Sequence, residues 1–188
     1  KNQLDIVQHL QEEITDYITK LFSSGNLTEL QSEQTAGLLY VTNNIERIAD
    51  RCQDIDSIWI KIQDDGMSFS EEAGKEIENC INVLLDLLRL AMTAVKEGSE
   101  EEAELVFKNK KKLHKAEKKF NKAHLNRVKN QKCDPAMTGC FSGILYNLDR
   151  AADNCVSIAE EALDNQGFVK LGEAARNFAA PAAVVEAV

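Results

Sequence analysis

Apolar side chains recur every three or four positions along most of this chain. Leu38, Val41, Ile45, Ile48, Cys52, Ile55, Trp59 and Ile62 follow one another at alternating spacings of three and four. That rhythm is a heptad seam, the packing edge of helices that supercoil in a bundle. Phe141, Ile144, Leu148, Ala151, Cys155, Ile158 and Ala162 keep the same rhythm. Each of these lies 103 residues after its counterpart in the first seam. Burying the two seams is expected to supply the largest share of the folding energy, at roughly 1.5–3 kcal/mol per large side chain.

Turn signals separate these periodic stretches at only a few places. Ser23-Ser24-Gly25-Asn26 and Asp64-Asp65-Gly66 read as turns, with Ser68 and Ser70 as N-caps after the second. Glu97-Gly98-Ser99 ends a third segment, and Ser99 with three following glutamates reads as a cap and an acidic first turn. Cys133-Asp134-Pro135 breaks a fourth. Five helices are therefore predicted, at about 3–22, 28–63, 70–96, 99–131 and 137–165. Long helices joined by short turns pack as antiparallel neighbours. The expected fold is all-α, a bundle of long helices.

More than the seam repeats at the 103-residue offset. Asn44-Ile45-Glu46-Arg47-Ile48-Ala49-Asp50-Arg51-Cys52 aligns with Asn147-Leu148-Asp149-Arg150-Ala151-Ala152-Asp153-Asn154-Cys155. A seam alone would repeat the apolar positions, not the Asn, the Arg and both acids, so the pattern indicates duplication. A rival register, Gly37-Leu38-Leu39-Tyr40 on Gly143-Ile144-Leu145-Tyr146, sits at an offset of 106, and the seam favours 103. Two helical units are expected. Residues 1–96 form the first, 97–166 a second with one helix fewer, and 167–188 an Ala-rich tail containing Pro181. The chain begins at Lys1 without a signal-peptide pattern, so it is expected to start partway along a longer protein.

Composition narrows the function. The 188 residues carry 22 Lys and Arg against 31 Asp and Glu, a net charge of −9, which argues against a general nucleic-acid binder. No run of about 18 apolar residues exists to span a membrane. Only 9 glycines are present, and no GxxxxGK[ST] or GxGxxG phosphate loop. The five cysteines, an odd count without a CxxC, read as reduced thiols of a cytosolic protein, largely at core positions. His9, His114 and His124 lie far from any close Cys pair, which disfavours zinc, and have no nucleophile motif around them. His114 and His124 are expected on the surface.

The repeated acids are the candidate chemistry. Glu46 and Asp50 are four apart on one helix face, and Asp149 and Asp153 make the equivalent pair. Both pairs sit off the apolar seam and are expected to face outward. Like charges at this spacing repel by a few tenths of a kcal/mol. The acids therefore either stay solvated beside Arg47 and Arg150 or hold a cation, for which carboxylates suit hard or borderline metals.

The two nine-residue segments resemble the PhoU family, regulators of phosphate homeostasis. The resemblance implies duplicated antiparallel three-helix bundles in which the motif acids bind metal. It would make Glu46 and Asp50 one site and Asp149 and Asp153 the other, for Fe, Mn, Mg or Zn. Two departures stand out: where the family has His after the motif Asp, this chain has Arg51 and Asn154. Arg51 is expected to compete with a cation at Asp50. The stretch Ala123-His124-Leu125-Asn126-Arg127 resembles one in the C-terminal domains of sodium/phosphate cotransporters of this family. The resemblance thus implies a non-enzymatic regulatory domain at the cytoplasmic side of the inner membrane, touching a transporter domain of the same or another chain. The alternatives are a free-standing regulator of an ABC-type phosphate transporter and its sensor kinase and, from another class, a carboxylate-bridged metal enzyme. The enzyme reading is weakened by the lack of a histidine on either motif helix, where ferritin-like sites want Glu-x-x-His.

Residues 108–132 hold 11 Lys and Arg and one acid, Glu117. Such a helix either lies against acidic neighbours or meets an anionic partner. The anionic partner would be the inner membrane surface, attracting at about 1 kcal/mol per charge, or phosphate, and nucleic acid is not expected. Long repeated bundles often dimerise, so a homodimer is a further expectation.

Overall fold

The computed structural model describes residues 2–165 and Phe168. They form five α-helices: α1 (Asn2–Ser23), α2 (Glu29–Asp64), α3 (Glu71–Glu97), α4 (Glu100–Lys129) and α5 (Met137–Asp164). No strand occurs among the described residues. Local chemistry sets the ends. Thr28 and Gln31 form a capping box at the start of α2. Ser70 Oγ accepts the Ala73 N–H to cap α3, and Gly98, at φ 59°, closes α3 in the left-handed conformation that glycine adopts without strain. Ser99 precedes α4 but gives no side-chain cap; its hydroxyl donates to Glu102 instead.

The helices α3, α4 and α5 pack on one another, α2 lies along α5, and α1 rests on α2 alone. The expected boundary at 96/97 would therefore part α3 from the two helices it packs against. The helix α5 has neighbours on three sides. Its seam residues Phe141, Ile144, Leu148, Ala151, Cys155, Ile158 and Ala162 are all buried. The matching seam of α2 has α5 on one side and α1 on another. Val41, Ile48 and Ile62 are buried, whereas Leu38, Cys52 and Trp59 are exposed. The same apolar pattern thus has two fates, set by the number of neighbouring helices.

All five cysteines are free; Cys80 and Cys155 are buried, and Cys52 is exposed. Desolvation, aided by nearby Glu117, Glu76 and Asp149, pushes the Cys80 thiol up to about 11. Burial takes Cys155 to about 12. The tail expected at 167–188 lies outside the described residues apart from Phe168, which is fully buried.

The unequal burial of the two seams has a measurable consequence. Phe141→Ala should cost about 3–5 kcal/mol. Its repeat counterpart, Leu38→Ala, should stay within about 1 kcal/mol. Urea denaturation of the two variants reads the difference; equal losses would mean that the seams are equally packed.

Candidate functional site

The motif helices α2 and α5 explain first why the asparagine repeats. Asn44 Nδ2 donates to the Tyr40 carbonyl at 2.9 Å, and Asn147 Nδ2 donates to the Gly143 carbonyl at 3.1 Å. Both side chains are buried and leave Oδ1 without a hydrogen-bond partner. The two bonds superpose at an offset of 103 and not 106.

The acids of the second copy gather a cluster between α4 and α5. These helices run antiparallel, so Lys110 and His114, one turn apart on α4, meet Asp149 and Asp153, one turn apart on α5. Lys110 Nζ donates to Asp149 Oδ1 at 2.6 Å and lies 2.8 Å from Asp153 Oδ1. Arg150 reaches the far oxygens, 3.3 Å from Asp149 Oδ2 and 2.9 Å from Asp153 Oδ2. Its guanidinium is held 5.5 Å over the Tyr146 ring. His114 Nδ1 lies 3.3 Å from Asp149 Oδ2 and 3.9 Å from Glu117.

Contrary to the outward placement expected for it, Asp149 is buried and faces α4. Burial alone would raise its carboxyl. The hydrogen bond and charge of Lys110 outweigh that, with help from Arg150 and His114, and hold it below the usual carboxylate range. Sequence reasoning missed Lys110 and His114. The first lies in a run of lysines on a helix expected to lie against acidic neighbours or to meet an anionic partner, and nothing local marks it as the one turned toward α5.

The first copy is built differently. Glu46 is half-buried and Asp50 is exposed, and neither makes an ion pair within 4 Å among the described residues. Arg51, expected beside Asp50, instead pairs with Asp54 at 3.1 Å. At the 103-residue offset, Lys110 and His114 correspond to Val7 and Gln11. Gln11 Nε2 donates to Asn43 Oδ1 at 3.2 Å. The duplicated acids therefore face unlike partner helices.

Whether a metal fits follows from these donors. Among the described residues, no group of three or more His, Cys, Asp or Glu side chains converges in a way that could hold a metal ion. At Asp149 and Asp153 the face that a cation would use is taken by the Lys110 ammonium, so these residues do not fit a metal while Lys110 stays in place. At Glu46 and Asp50 no side-chain cation intervenes, and two carboxylates are the donors on hand.

Two side chains of the resemblance-bearing stretch on α4, His124 and Arg127, point into the bundle. His124, expected on the surface, is buried and stacks on Phe141 with ring centroids 4.5 Å apart. Both ring nitrogens are buried and lack a hydrogen-bond partner among the described residues. Arg127 forms a two-pronged pair with Glu76 of α3, at 3.0 and 2.5 Å. Nine other Lys and Arg of residues 108–132 behave otherwise. Lys110 and Arg127 are drawn inward, whereas Lys108, Lys111, Lys112, Lys115, Lys118, Lys119, Lys122, Lys129 and Lys132 stay exposed. None of these nine makes an ion pair within 4 Å among the described residues.

An all-α bundle with a duplicated E/D-x-x-x-D motif on its two seam helices defines the class of protein. The sequence pattern of the PhoU domain matches residues 1–57 and 77–162, and the chain belongs to that family. The second matched segment runs through α3, α4 and α5, the three helices that pack on one another. No curated protein and no solved structure matches the chain.

The buried imidazole makes stability depend on pH. Burial holds the His124 pKa below its ordinary 6.5, with Arg127 adding to the effect and Glu76 opposing it. The unfolded chain therefore takes up a proton near pH 6.5 that the folded chain refuses until a lower pH. Stability should fall as pH drops from 6.5 toward the folded value. His124→Leu removes that contribution. Guanidinium melts at pH 7.5 and 5.5 should show the variant gaining on the wild type at the lower pH; a constant gap would mean that His124 is freely protonated in the fold.

Proposed function

We propose that this chain is a regulatory domain of phosphate homeostasis that works by contact with a transporter, most closely the cytoplasmic PhoU-like domain of a sodium/phosphate cotransporter. The observation that carries the reading is the family match over two segments, each containing one copy of the motif. The cotransporter branch is supported by the His-Leu-Asn-Arg stretch, whose His124 and Arg127 are interior side chains against Phe141 and Glu76. A regulator needs an interaction surface more than a substrate pocket, and the acids of the second copy are occupied by Lys110 and Arg150. That favours regulation over a carboxylate-bridged metal enzyme. Any divalent cation is assigned to Glu46 and Asp50.

The surface proposed for contact is the outer stripe of α4. Lys111, Lys115, Lys118 and Lys122 recur at spacings of four, three and four, and so share one helix face. Leu125, 55% exposed, and Lys129 continue it. Among the described residues no helix is long and apolar enough to cross a membrane. The stripe suits the anionic cytoplasmic surface of the inner membrane beside the transporter.

Two experiments test the reading. Sequence encoded upstream of Lys1 should contain several apolar spans of about 20 residues; a short polar leader instead would favour the free-standing regulator of an ABC-type transporter and sensor kinase. Second, the protein should co-sediment with vesicles containing anionic lipid, and lose that binding in a Lys111→Glu, Lys115→Glu, Lys118→Glu, Lys122→Glu variant. At about 1 kcal/mol per lysine, neutralising the stripe alone would weaken binding by several hundred-fold. Unchanged sedimentation would remove the membrane from the proposal.

A further inference from the structure

The duplicated motif is not used twice in the same way. Asp149 and Asp153 present two carboxylates, and within reach of their four oxygens lie the Lys110 ammonium and the Arg150 guanidinium. The charges of this cluster cancel without any added ion. Lys110 sits between α4 and α5 with its side chain only 13% exposed, at 2.6 and 2.8 Å from one oxygen of each acid. That is where a bridging cation would have to lie. Arg150 is fixed from its other side by the Tyr146 ring. In the first copy the corresponding residues are Val7 for Lys110 and Asn43 for Tyr146, so neither device is present there.

We propose that Lys110 is the resident cation of the second motif: its ammonium fastens α4 to α5 through Asp149 and Asp153 and shuts divalent metal out of that pair. The motif in α5 is then a structural clasp that works without metal, although its sequence has the pattern of a metal site. Entry of a divalent ion would require the ammonium to leave its two carboxylates and a second positive charge, on Arg150, to tolerate the ion beside it. This holds whether or not the regulatory reading is right, because it depends on the cluster alone.

The test uses the full chain with Glu46→Gln and Asp50→Asn, which removes the carboxylates of the first copy, and Mn2+ as the probe, followed by calorimetry and by the electron paramagnetic signal of free Mn2+. With Lys110 intact, this protein should bind no Mn2+ at the second motif. Adding Lys110→Met, which keeps most of the side chain's length and loses its charge, should raise Mn2+ affinity at least about tenfold, since a like charge beside the ion is removed. That gain should vanish on further adding Asp149→Asn. Lys110→Arg should fold and still exclude Mn2+. Two results would overturn the proposal: Mn2+ binding with Lys110 intact that Asp149→Asn abolishes, or a folded Lys110→Met protein with no gain in affinity. Should Lys110→Met fail to fold, circular dichroism would show it. The Lys110→Arg and Lys110-intact proteins then decide, because exclusion by both supports the clasp and binding by either sinks it.

Discussion

A carboxylate in the wall of the most enclosed helix has to be neutralised within the fold, and Asp149 is such a carboxylate. Its helix, α5, is packed by α2, α3 and α4, so little of its surface is left to water. An isolated charge there would cost several kcal/mol. Lys110 removes that cost by reaching across from α4, and Arg150 and His114 complete the neutralisation. The pairing in turn constrains the fold. It fixes the register of α4 on α5, because Lys110 must lie between two acids one helical turn apart. Farther along α4, the Asn121–Ser142 hydrogen bond at 2.8 Å keeps the same antiparallel register.

That register aligns the rest of the trio. Near the other end of α4, His124 stacks on Phe141 of α5, and Arg127 grips Glu76 of α3. The helix α4 is therefore tied to α5 by an ion cluster near its middle, to α5 again by an aromatic stack toward its C-terminus, and to α3 by a half-buried ion pair. With its inward face so occupied, its outward face is free to carry the lysine stripe. The same helix thus divides its positive charge by direction: two groups hold the bundle together and eight remain in solvent.

A side chain that recurs in a repeated pattern acquires a role only from what packs against it. The acids of α2 and α5 share one pattern, and the asparagines make the same back-bond in both. The seams and the acids differ in their surroundings. Phe141 is wholly buried where Leu38 is exposed, and Asp149 is paired where Glu46 is not. In each case the difference traces to the neighbouring helix. The helix α5 has α3 and α4 beside it, and α2 has α1, whose Gln11 bonds Asn43 and neither motif acid.

The chain's helices, their turns and the 103-residue repeat were legible in the sequence, because each depends on local properties. Heptad spacing, capping residues and a left-handed glycine act within a few positions, so α2, α3 and α5 begin and end within about a residue of where the pattern puts them. The candidate acids were legible for the same reason, as a repeated i,i+4 pair. Their surroundings were not. Lys110 lies 39 residues from Asp149 and Arg127 lies 51 from Glu76, and within a lysine-rich helix no local feature separates the two inward cations from the eight outward ones. His124 likewise is buried against Phe141 of α5, 17 residues away in the chain, on which its ring stacks. Which copy of the motif is enclosed, and which charge meets it, are properties of helix packing, and packing joins residues that sequence spacing leaves unrelated.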